Sequence, residues 1–291
     1  MHGTSAATSP RRTAFVLAGG GSLGAVQVGM LKALIEHGVK PDFVVGASVG
    51  AINGAYVAAR PDVAGMKTLE HLWLRSKRKD VFPLSVRTLA RVVYRRDFLL
   101  SNVGLLDLIK RNLPHSRIED MPVPLHVVTT DFLTGATVVL SSGPAAEAIV
   151  ASCAIPAAFP TVAIDGRHLA DGGIASNTPI AIAASLGANR IIVFPTGHAC
   201  ALRTPPGGAI ASALHGLTLL VSGQIVKEME TLAPSINVHV VPTLCPVTSS
   251  AYDFSNTSEL IERAASQSRA WLAGGGLMRR DIPDALRPHH H

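Results

Sequence analysis

Ser48 is the first residue of this sequence whose surroundings suggest chemistry. It lies in Gly46-Ala47-Ser48-Val49-Gly50, between an apolar run that begins at Phe43 and an alanine-rich segment. A serine between a strand and a helix fits a nucleophile elbow, because the small residues around it allow the strained turn that exposes the hydroxyl. An ordinary strand-to-helix turn explains the same residues, so the assignment depends on a base that activates the serine.

Histidine is a frequent base for such a serine. His198, His215 and His239 come late enough in the chain for the triad of an α/β-hydrolase. None of them lies in a glycine-rich or turn-like context, and Ser48 follows the first predicted strand too closely for that fold. We therefore interpret the three histidines as ordinary surface or core residues.

Asp171 is the other candidate base, in the sequence HLADGGIASNTP. The glycines after it, Gly172 and Gly173, leave it without steric cover, so it can approach another backbone segment closely. A simple Asp-Gly turn explains the same residues. The pKa of aspartate in water is about 3.9, but burial beside a catalytic serine would raise it, so that the pair could work as a dyad.

A glycine-rich segment, VLAGGGSLGA, follows the first predicted strand and begins the first predicted helix. Gly19, Gly21 and Gly24 have the spacing of a dinucleotide-binding loop. That fingerprint also needs an acidic residue at the end of the second strand, whereas Asp42 precedes this strand. The dinucleotide interpretation therefore fails at the position that would hold the ribose.

The same loop can serve acyl transfer. Its backbone N–H groups point outward at the positive end of a helix dipole, where they stabilise an oxyanion as readily as a pyrophosphate. We therefore predict an oxyanion hole formed by Gly19, Gly20, Gly21 and Gly24. A loop that serves only as a tight turn is the alternative.

Strands that alternate with helices and are rich in valine and isoleucine predict an α/β fold with a mostly parallel central sheet flanked by helices. The candidate residues then lie at strand ends. The predicted strands are 13–18, 42–46, 124–132, 136–140, a hairpin around Asp165-Gly166, 190–194 and 236–241, and the predicted helices are 23–38, 49–60, 62–76, 84–96, 103–112, 143–152, 180–187, 208–232 and 256–273.

The net charge is +6, and the excess lies in residues 67–96, which contain nine basic and two acidic side chains. Arg87, Arg91 and Arg95 recur every four residues and form one stripe on a helix. Such a helix fits an anionic membrane surface, although an ordinary solvated face explains the pattern as well. Aromatic residues for base stacking are scarce here, so no nucleic-acid partner is expected.

The 291-residue chain is 47% hydrophobic and 16% charged, which fits a globular protein with a large core. Cys153, Cys200 and Cys245 are few and widely spaced, so they predict buried thiols in a reducing compartment. We read no signal peptide, and polar residues interrupt the apolar stretch at 208–226, which predicts a buried helix there. A cytoplasmic protein with peripheral membrane contact through 67–96 is expected.

Four segments in this order resemble the patatin-like phospholipase family: GGGSLGAVQVGML, GASVGAIN, TTDFLTGATVV and ASCAIPAAFPTVAIDGRHLADGGIASNTPI. The resemblance covers roughly residues 13–200. It implies an α/β three-layer fold and a lipid acyl hydrolase with a Ser-Asp dyad and with no catalytic histidine, metal or cofactor. Ser48 matches the family's nucleophile, Asp171 its general base and Gly19 to Gly21 its oxyanion loop.

Other positions qualify this resemblance. Asn177 and Pro179 match the segment that supports the aspartate turn. Ala18 stands where members often carry aspartate, and Leu23 stands where many carry a basic residue near the oxyanion loop. Because such a residue can contact a phosphate, a neutral ester or acylglycerol is as well supported as a phospholipid.

The predicted organisation is a disordered segment at 1–12, a catalytic domain at 13–245 with a basic helical insert at about 62–112, and a C-terminal helix with a disordered tail at 246–291. Two other functions stay open. One is a lipid-binding or membrane-scaffold protein on the same fold, and the other is a dinucleotide-binding oxidoreductase.

Overall fold

The structure is a computed structural model of the chain. The predicted helix at 84–96, with its arginine stripe, and most of the predicted disordered segment at 1–12 lie outside the described residues. The described residues are 11–81, 100–156, 158–198, 200–202, 204–205, 209–222, 224–230, 232–279, 283 and 286.

A mixed sheet forms the centre of the described part of the chain. Its order is β5-β6-β3-β2-β1-β7-β8, and β4 pairs with β3. The path from β3 through β2, β1 and β7 to β8 is parallel, whereas β4, β5 and β6 pair in antiparallel fashion. The strands are β1 (Thr13–Leu17), β2 (Phe43–Ala47), β3 (Leu125–Asp131), β4 (Thr137–Leu140), β5 (Val162–Ile164), β6 (Arg167–Asp171), β7 (Arg190–Phe194) and β8 (Asn237–Val240).

Helices cover both faces of this sheet, which confirms the predicted α/β class. The predicted helix at 208–232 corresponds to two described helices, α9 and α10. The helices are α1 (Gly24–Glu36), α2 (Val49–Ala59), α3 (Val63–Arg75), α4 (Arg78–Val81), α5 (Val103–Asn112), α6 (Ala145–Ser152), α7 (Gly173–Ser176), α8 (Ile180–Ser185), α9 (Ala209–Ser222), α10 (Gln224–Glu230) and α11 (Thr257–Ala273).

Alternate side chains of the strands supply two cores, because successive residues of a strand point to opposite faces. Phe15 and Leu17 of β1 pack into a core with α1, α2, α3 and α11. Ala14 and Val16 belong to a second core, to which α8 and α10 contribute. β1 and β2 are buried at every position, and apart from Thr13 their residues are apolar or glycine, because both faces of the sheet are covered here.

The register on β3 brings two strand ends together. β2 is parallel to β3, and its last residue, Ala47, lies opposite Val128. β6 is antiparallel to β3, and its last residue, Asp171, lies opposite Thr129. β4 pairs with the other edge of β3. β2 and β6 therefore meet end to end along one edge, and Ser48, which follows β2, lies beside Asp171.

The C-terminal part belongs to the same packing, since α11 packs against α1. The predicted boundary at residue 245 stays a prediction. None of the described helices has both the length and the apolar character that a bilayer span requires. Of the predicted buried thiols, Cys153 is buried, but Cys200 and Cys245 are half-buried.

Candidate active site

The predicted nucleophile and the predicted base are in direct contact. Ser48 Oγ donates a hydrogen bond of 2.7 Å to Asp171 Oδ2, and each residue is only 7% exposed. The second carboxylate oxygen, Asp171 Oδ1, accepts a bond of 2.8 Å from the backbone N–H of Gly173. Both oxygens of the carboxylate are therefore oriented, one by the serine and one by the turn after β6.

Ser48 has the backbone strain that is typical of a nucleophile elbow. Its φ is 53° and its ψ is −125°, a conformation that non-glycine residues rarely adopt. The predicted elbow glycines make room for this turn: a Cβ on Gly46 would lie 2.4 Å from the carbonyl oxygen of Gly50, and one on Gly50 would lie 2.2 Å from that of Leu17. Without side chains at these positions, β1, β2 and α2 can converge on the serine.

Ser152 connects the two halves of the Ser-Asp pair. Its Oγ accepts a bond of 2.8 Å from the Ser48 N–H and donates one of 2.5 Å to the Val128 carbonyl. Its own carbonyl accepts from the N–H of Gly172 at 3.2 Å. The Ser48 N–H is thereby engaged, and the elbow and the aspartate turn are held at a set separation. Ser152 is not among the predicted site residues, although it lies within the ASCAIPAAFP segment, because nothing in its spacing marks its role.

Burial is the main influence on the Asp171 carboxyl. It raises the pKa of Asp171 to about 6 from an ordinary value of 3.8, while hydrogen bonds from Ser48 and Gly173 act in the opposite direction. A carboxylate of this pKa is a stronger base than aspartate in water and is still ionised near neutral pH. Burial, reinforced by Asp171, also raises the pKa of the neighbouring Cys153 thiol, which is therefore neutral.

The glycine loop presents two of its four predicted donors. The Gly19 N–H is bonded to the Asn177 carbonyl at 3.0 Å, and the Gly24 N–H is bonded to carbonyls of the preceding turn. Among the described residues, neither the Gly20 N–H nor the Gly21 N–H donates a hydrogen bond. The geometry therefore removes Gly19 and Gly24 from the predicted donors and leaves Gly20 and Gly21.

Thr196 sets the orientation of one of these donors. Its Oγ1 donates a bond of 2.8 Å to the Gly19 carbonyl, and this carbonyl belongs to the same planar peptide unit as the Gly20 N–H. Because the C=O and N–H of a trans peptide point in opposite directions, the bond to Thr196 turns the Gly20 N–H away from it. No local pattern in the sequence marks Thr196 for this role.

A buried polar network supports the loop from behind. Gln27 Nε2 donates to the carbonyls of Ala18 and Phe194, both at 2.8 Å. Asn53 Nδ2 donates to Gln27 Oε1 at 2.9 Å, and Trp73 Nε1 donates to Asn53 Oδ1 at 2.8 Å. The network joins β1, β7, α1, α2 and α3, and it satisfies side chains that would be costly to bury alone.

The aspartate turn is fastened to α10. Gln224 Oε1 accepts from the Asn177 N–H at 3.0 Å, and Glu228 accepts from Ser176 Oγ at 2.9 Å and from the Ile180 N–H at 3.0 Å. Burial raises the pKa of Glu228. Pro179 directly precedes α8, so both predicted support residues, Asn177 and Pro179, lie in this fastened segment.

Two cavities meet at Ser48. The apolar cavity is a solvent-open cleft of about 660 Å³ between α2, α3, α5 and the segment after α6. Its walls carry aliphatic and aromatic side chains and present no charged group among the described residues. Besides Ser48 and Gly21, the lining residues of this cavity are Val49, Ile52, Leu72, Trp73, Ser76, Val81, Leu105, Leu108, Cys153, Ile155, Phe159 and Phe254.

The polar cavity, of about 550 Å³, contains the Asp171 carboxylate, the glycine loop and Asn177. α9 borders it through Leu217, Thr218 and Val221. Burial raises the pKa of Tyr252, also in this wall, to about 12, with a hydrogen bond to Thr218 opposing and Asp171 reinforcing the shift. The wall therefore provides neutral hydroxyl groups beside the carboxylate.

Several residues considered in the sequence lie away from Ser48 and Asp171. Among the described residues that line the two cavities, none is a histidine, and His239 bonds the Arg279 carbonyl instead. Asp42 lies at the start of β2 and accepts from the Thr13 N–H at 2.6 Å. It is therefore at the end of the sheet opposite the glycine loop, where it cannot hold a ribose. Leu23 is buried in the core.

The family model of patatin-like phospholipases matches residues 15–184, which is more than half of the chain. The chain belongs to the patatin-like phospholipase family. An uncharacterised NTE family protein of Mycobacterium tuberculosis is 34% identical over 192 residues, which are 64% of this chain and 49% of that protein. Rat patatin-like phospholipase domain-containing protein 7 is 31% identical over 63% of this chain and 13% of its own length. The patatin-like chain therefore matches half or less of each relative.

Two solved structures are similar to this patatin-like chain. Human GIVD cytosolic phospholipase A2 has a TM-score of 0.49 at 13% identity and covers 96% of this chain and 60% of its own. VipD from Legionella pneumophila has a TM-score of 0.47 at 15% identity, with coverages of 92% and 68%. Because both scores are below 0.5, the fold assignment rests on the sheet and its register.

Proposed function

We propose that this protein hydrolyses fatty-acyl esters of lipids, with Ser48 as nucleophile and Asp171 as general base. The observation that carries the proposal is the 2.7 Å hydrogen bond from Ser48 Oγ to the buried Asp171 carboxylate. A serine needs such a base to become nucleophilic. Family membership supports lipid hydrolysis in general, and the contact between Ser48 and Asp171 supports the proposal that these two residues carry it out.

In the first half of the reaction, Asp171 accepts the proton of Ser48 while Oγ attacks the ester carbonyl. The carbonyl oxygen becomes an oxyanion, and the N–H groups of Gly20 and Gly21 stabilise its charge in the polar cavity. Collapse of this intermediate breaks the bond to the alcohol oxygen, which takes the proton from Asp171. The acyl group remains on Ser48 as an ester.

In the second half, Asp171 accepts a proton from a water molecule, and the resulting hydroxide attacks the acyl carbonyl. The oxyanion forms again beside Gly20 and Gly21. When the intermediate collapses, the fatty acid leaves, and Ser48 Oγ regains the proton from Asp171. The cycle uses one water molecule and leaves the protein unchanged.

The two cavities suit different parts of an ester substrate. The aliphatic and aromatic walls of the apolar cavity suit an acyl chain, whose burial is favourable by about 0.8 kcal/mol for each CH₂. The polar cavity, with Asn177, Thr218 and Tyr252 in its wall, suits the alcohol part of the ester. Phospholipids, acylglycerols and simple fatty-acyl esters are therefore the substrates to compare.

The test is labelling with a fluorophosphonate, followed as intact mass, in the wild type, Ser48→Ala and Asp171→Asn. We expect one adduct on the wild type, no adduct on Ser48→Ala, and slow labelling of Asp171→Asn. Ser101→Ala, a change at an exposed serine, is the matched control and should label like the wild type.

If the folded wild type gave no adduct and no ester hydrolysis, the dyad proposal would be lost. Lipid binding by the intact protein would then be measured, because a lipid-binding or scaffold role on this fold is the competing function. An adduct that persisted in Ser48→Ala would assign the nucleophile to another residue.

We also propose peripheral contact with an anionic membrane through residues 67–96, of which 67–81 are described. Arg75, Lys77, Arg78 and Lys79 lie next to Ser76 and Val81, which line the apolar cavity. Cations at this position would bring the cavity to an anionic lipid surface. Equal binding of this protein to neutral and anionic vesicles at low salt would contradict the proposed membrane contact.

A further inference from the structure

Two cysteines that are far apart in the sequence are neighbours in the fold. Cys200 Sγ lies 3.7 Å from Cys245 Sγ, and both side chains are half-buried. We propose that these two residues are a modification site, at which thiol–disulfide exchange with a low-molecular-weight disulfide such as oxidised glutathione forms a reversible Cys200–Cys245 bond.

The surrounding backbone supports closure of this bond. The N–H of Ala201, next to Cys200, donates a hydrogen bond of 3.1 Å to the carbonyl of Val247, two residues after Cys245. The two segments are therefore already held side by side. A disulfide requires an S–S distance of about 2.05 Å, and closure from 3.7 Å would come from rotation of the two side chains.

The bond would connect two segments that hold the glycine loop from different sides. The segment before Cys200 contains Thr196, whose hydroxyl is bonded to the Gly19 carbonyl. The segment after Cys245 leads to Ala251, whose carbonyl accepts a bond of 2.7 Å from the Ser22 N–H. Oxidation therefore ties together the two supports of the loop, a consequence that does not depend on the proposed hydrolysis.

The exchange balances in two steps. A thiolate of the pair attacks one sulfur of oxidised glutathione, which forms a mixed disulfide and releases one glutathione thiolate. The second thiol of the pair loses its proton and attacks the protein-bound sulfur, which forms the Cys200–Cys245 bond and releases the second glutathione. Two cysteines are oxidised, and one glutathione disulfide is reduced to two glutathione molecules.

The experiment maps the bond in the full chain after incubation with oxidised glutathione, alkylation under denaturing conditions and digestion with trypsin. The sequence places the three cysteines in separate tryptic peptides, 191–203, 228–263 and 118–167. We expect a linked pair of peptides 191–203 and 228–263 in the wild type, with Cys153 alkylated in 118–167. Dithiothreitol should separate the pair.

The matched controls are Cys200→Ser and Cys245→Ser, each of which leaves one thiol of the pair. We expect each variant to carry glutathione on the remaining cysteine, and we expect oxidation to raise the Tm of the wild type by about 5 °C but not that of either variant. Glutathione on both cysteines of the wild type, two unmodified thiols, or a linked pair with no rise in Tm would each overturn the proposal.

Discussion

Two cavities of similar volume, about 660 and about 550 Å³, meet at Ser48, and their walls differ in chemistry. The apolar cavity is lined mainly by side chains of helices and loops that come from distant parts of the chain. The polar cavity is lined on one side by backbone groups and side chains at the ends of β1, β2 and β6, and on the other by α9 and Tyr252. Under the proposed hydrolysis, substrate fit and bond cleavage belong to different elements, so each should respond to its own set of substitutions.

Asp171→Asn should have the largest effect on activity, and it should change the polar cavity but not the apolar cavity. We expect kcat to fall by about 10³-fold or more, because Ser48 loses its base. The free energy of unfolding at pH 8 should rise by about 1–3 kcal/mol, because the pKa of Asp171 is raised in the fold and its ionisation therefore opposes folding.

The sign of this stability effect follows from proton binding. Between pH 3.8 and about 6 the folded state holds the Asp171 proton more tightly than the unfolded state, so wild-type stability falls as pH rises through this window and stays lower above it. Chemical denaturation at pH 8 and pH 3.5 measures it. Asp171→Asn should gain stability over the wild type only at pH 8, and an equal difference at both values would contradict the assignment.

Thr196→Val should come next. The valine keeps the shape of threonine but loses the bond to the Gly19 carbonyl, so the Gly20 N–H is no longer held in place. We expect kcat to fall by about 10- to 100-fold, below the 10²–10³ that complete loss of an oxyanion donor costs, with little change in KM. Thr196→Ser keeps the hydroxyl and should have most of the wild-type rate. If Thr196→Ser were as slow as Thr196→Val, the hydroxyl of Thr196 would not be what orients the Gly20 N–H.

Leu108→Trp should affect the apolar side alone. The larger side chain reduces the apolar cavity, so kcat/KM for a long-chain ester should fall by about 30-fold, within the range for small changes in apolar pockets. The rate on an acetate ester should stay the same. Leu133→Trp, at a position 78% exposed, is the matched control. A parallel loss on both esters would show that the cavities are not independent.

The pH profile should show the smallest effect. The wild-type kcat/KM should be level above pH 7 and should fall about tenfold from there to pH 5, because Asp171 becomes protonated below its pKa of about 6. Leu108→Trp should keep this profile, since the apolar cavity does not hold the base. Stopped assays with a soluble ester across this range measure it, and a midpoint near pH 4 would mean that the carboxyl is not desolvated during catalysis.

Much of the fold followed from local pattern. The bounds of β1, β2, β3, α3 and α5 agree with the predicted segments to within one or two residues, because apolar runs bounded by glycine and polar turns carry the strand and helix signals themselves. The described parts of the predicted helix at 208–232, α9 and α10, are also helical. The stripe at 84–96 remains a prediction.

The sequence by itself determined which residues can do chemistry. Ser48 stands in an elbow pattern, Asp171 stands before two glycines, and the glycine loop opens α1, because each depends on neighbours along the chain. Tertiary structure decided which of them meet and which groups remain available. The register on β3 joins Ser48 to Asp171. The contacts of Thr196, Ser152 and Tyr252, and the approach of Cys200 to Cys245, arise between segments whose separation in sequence leaves no local signal.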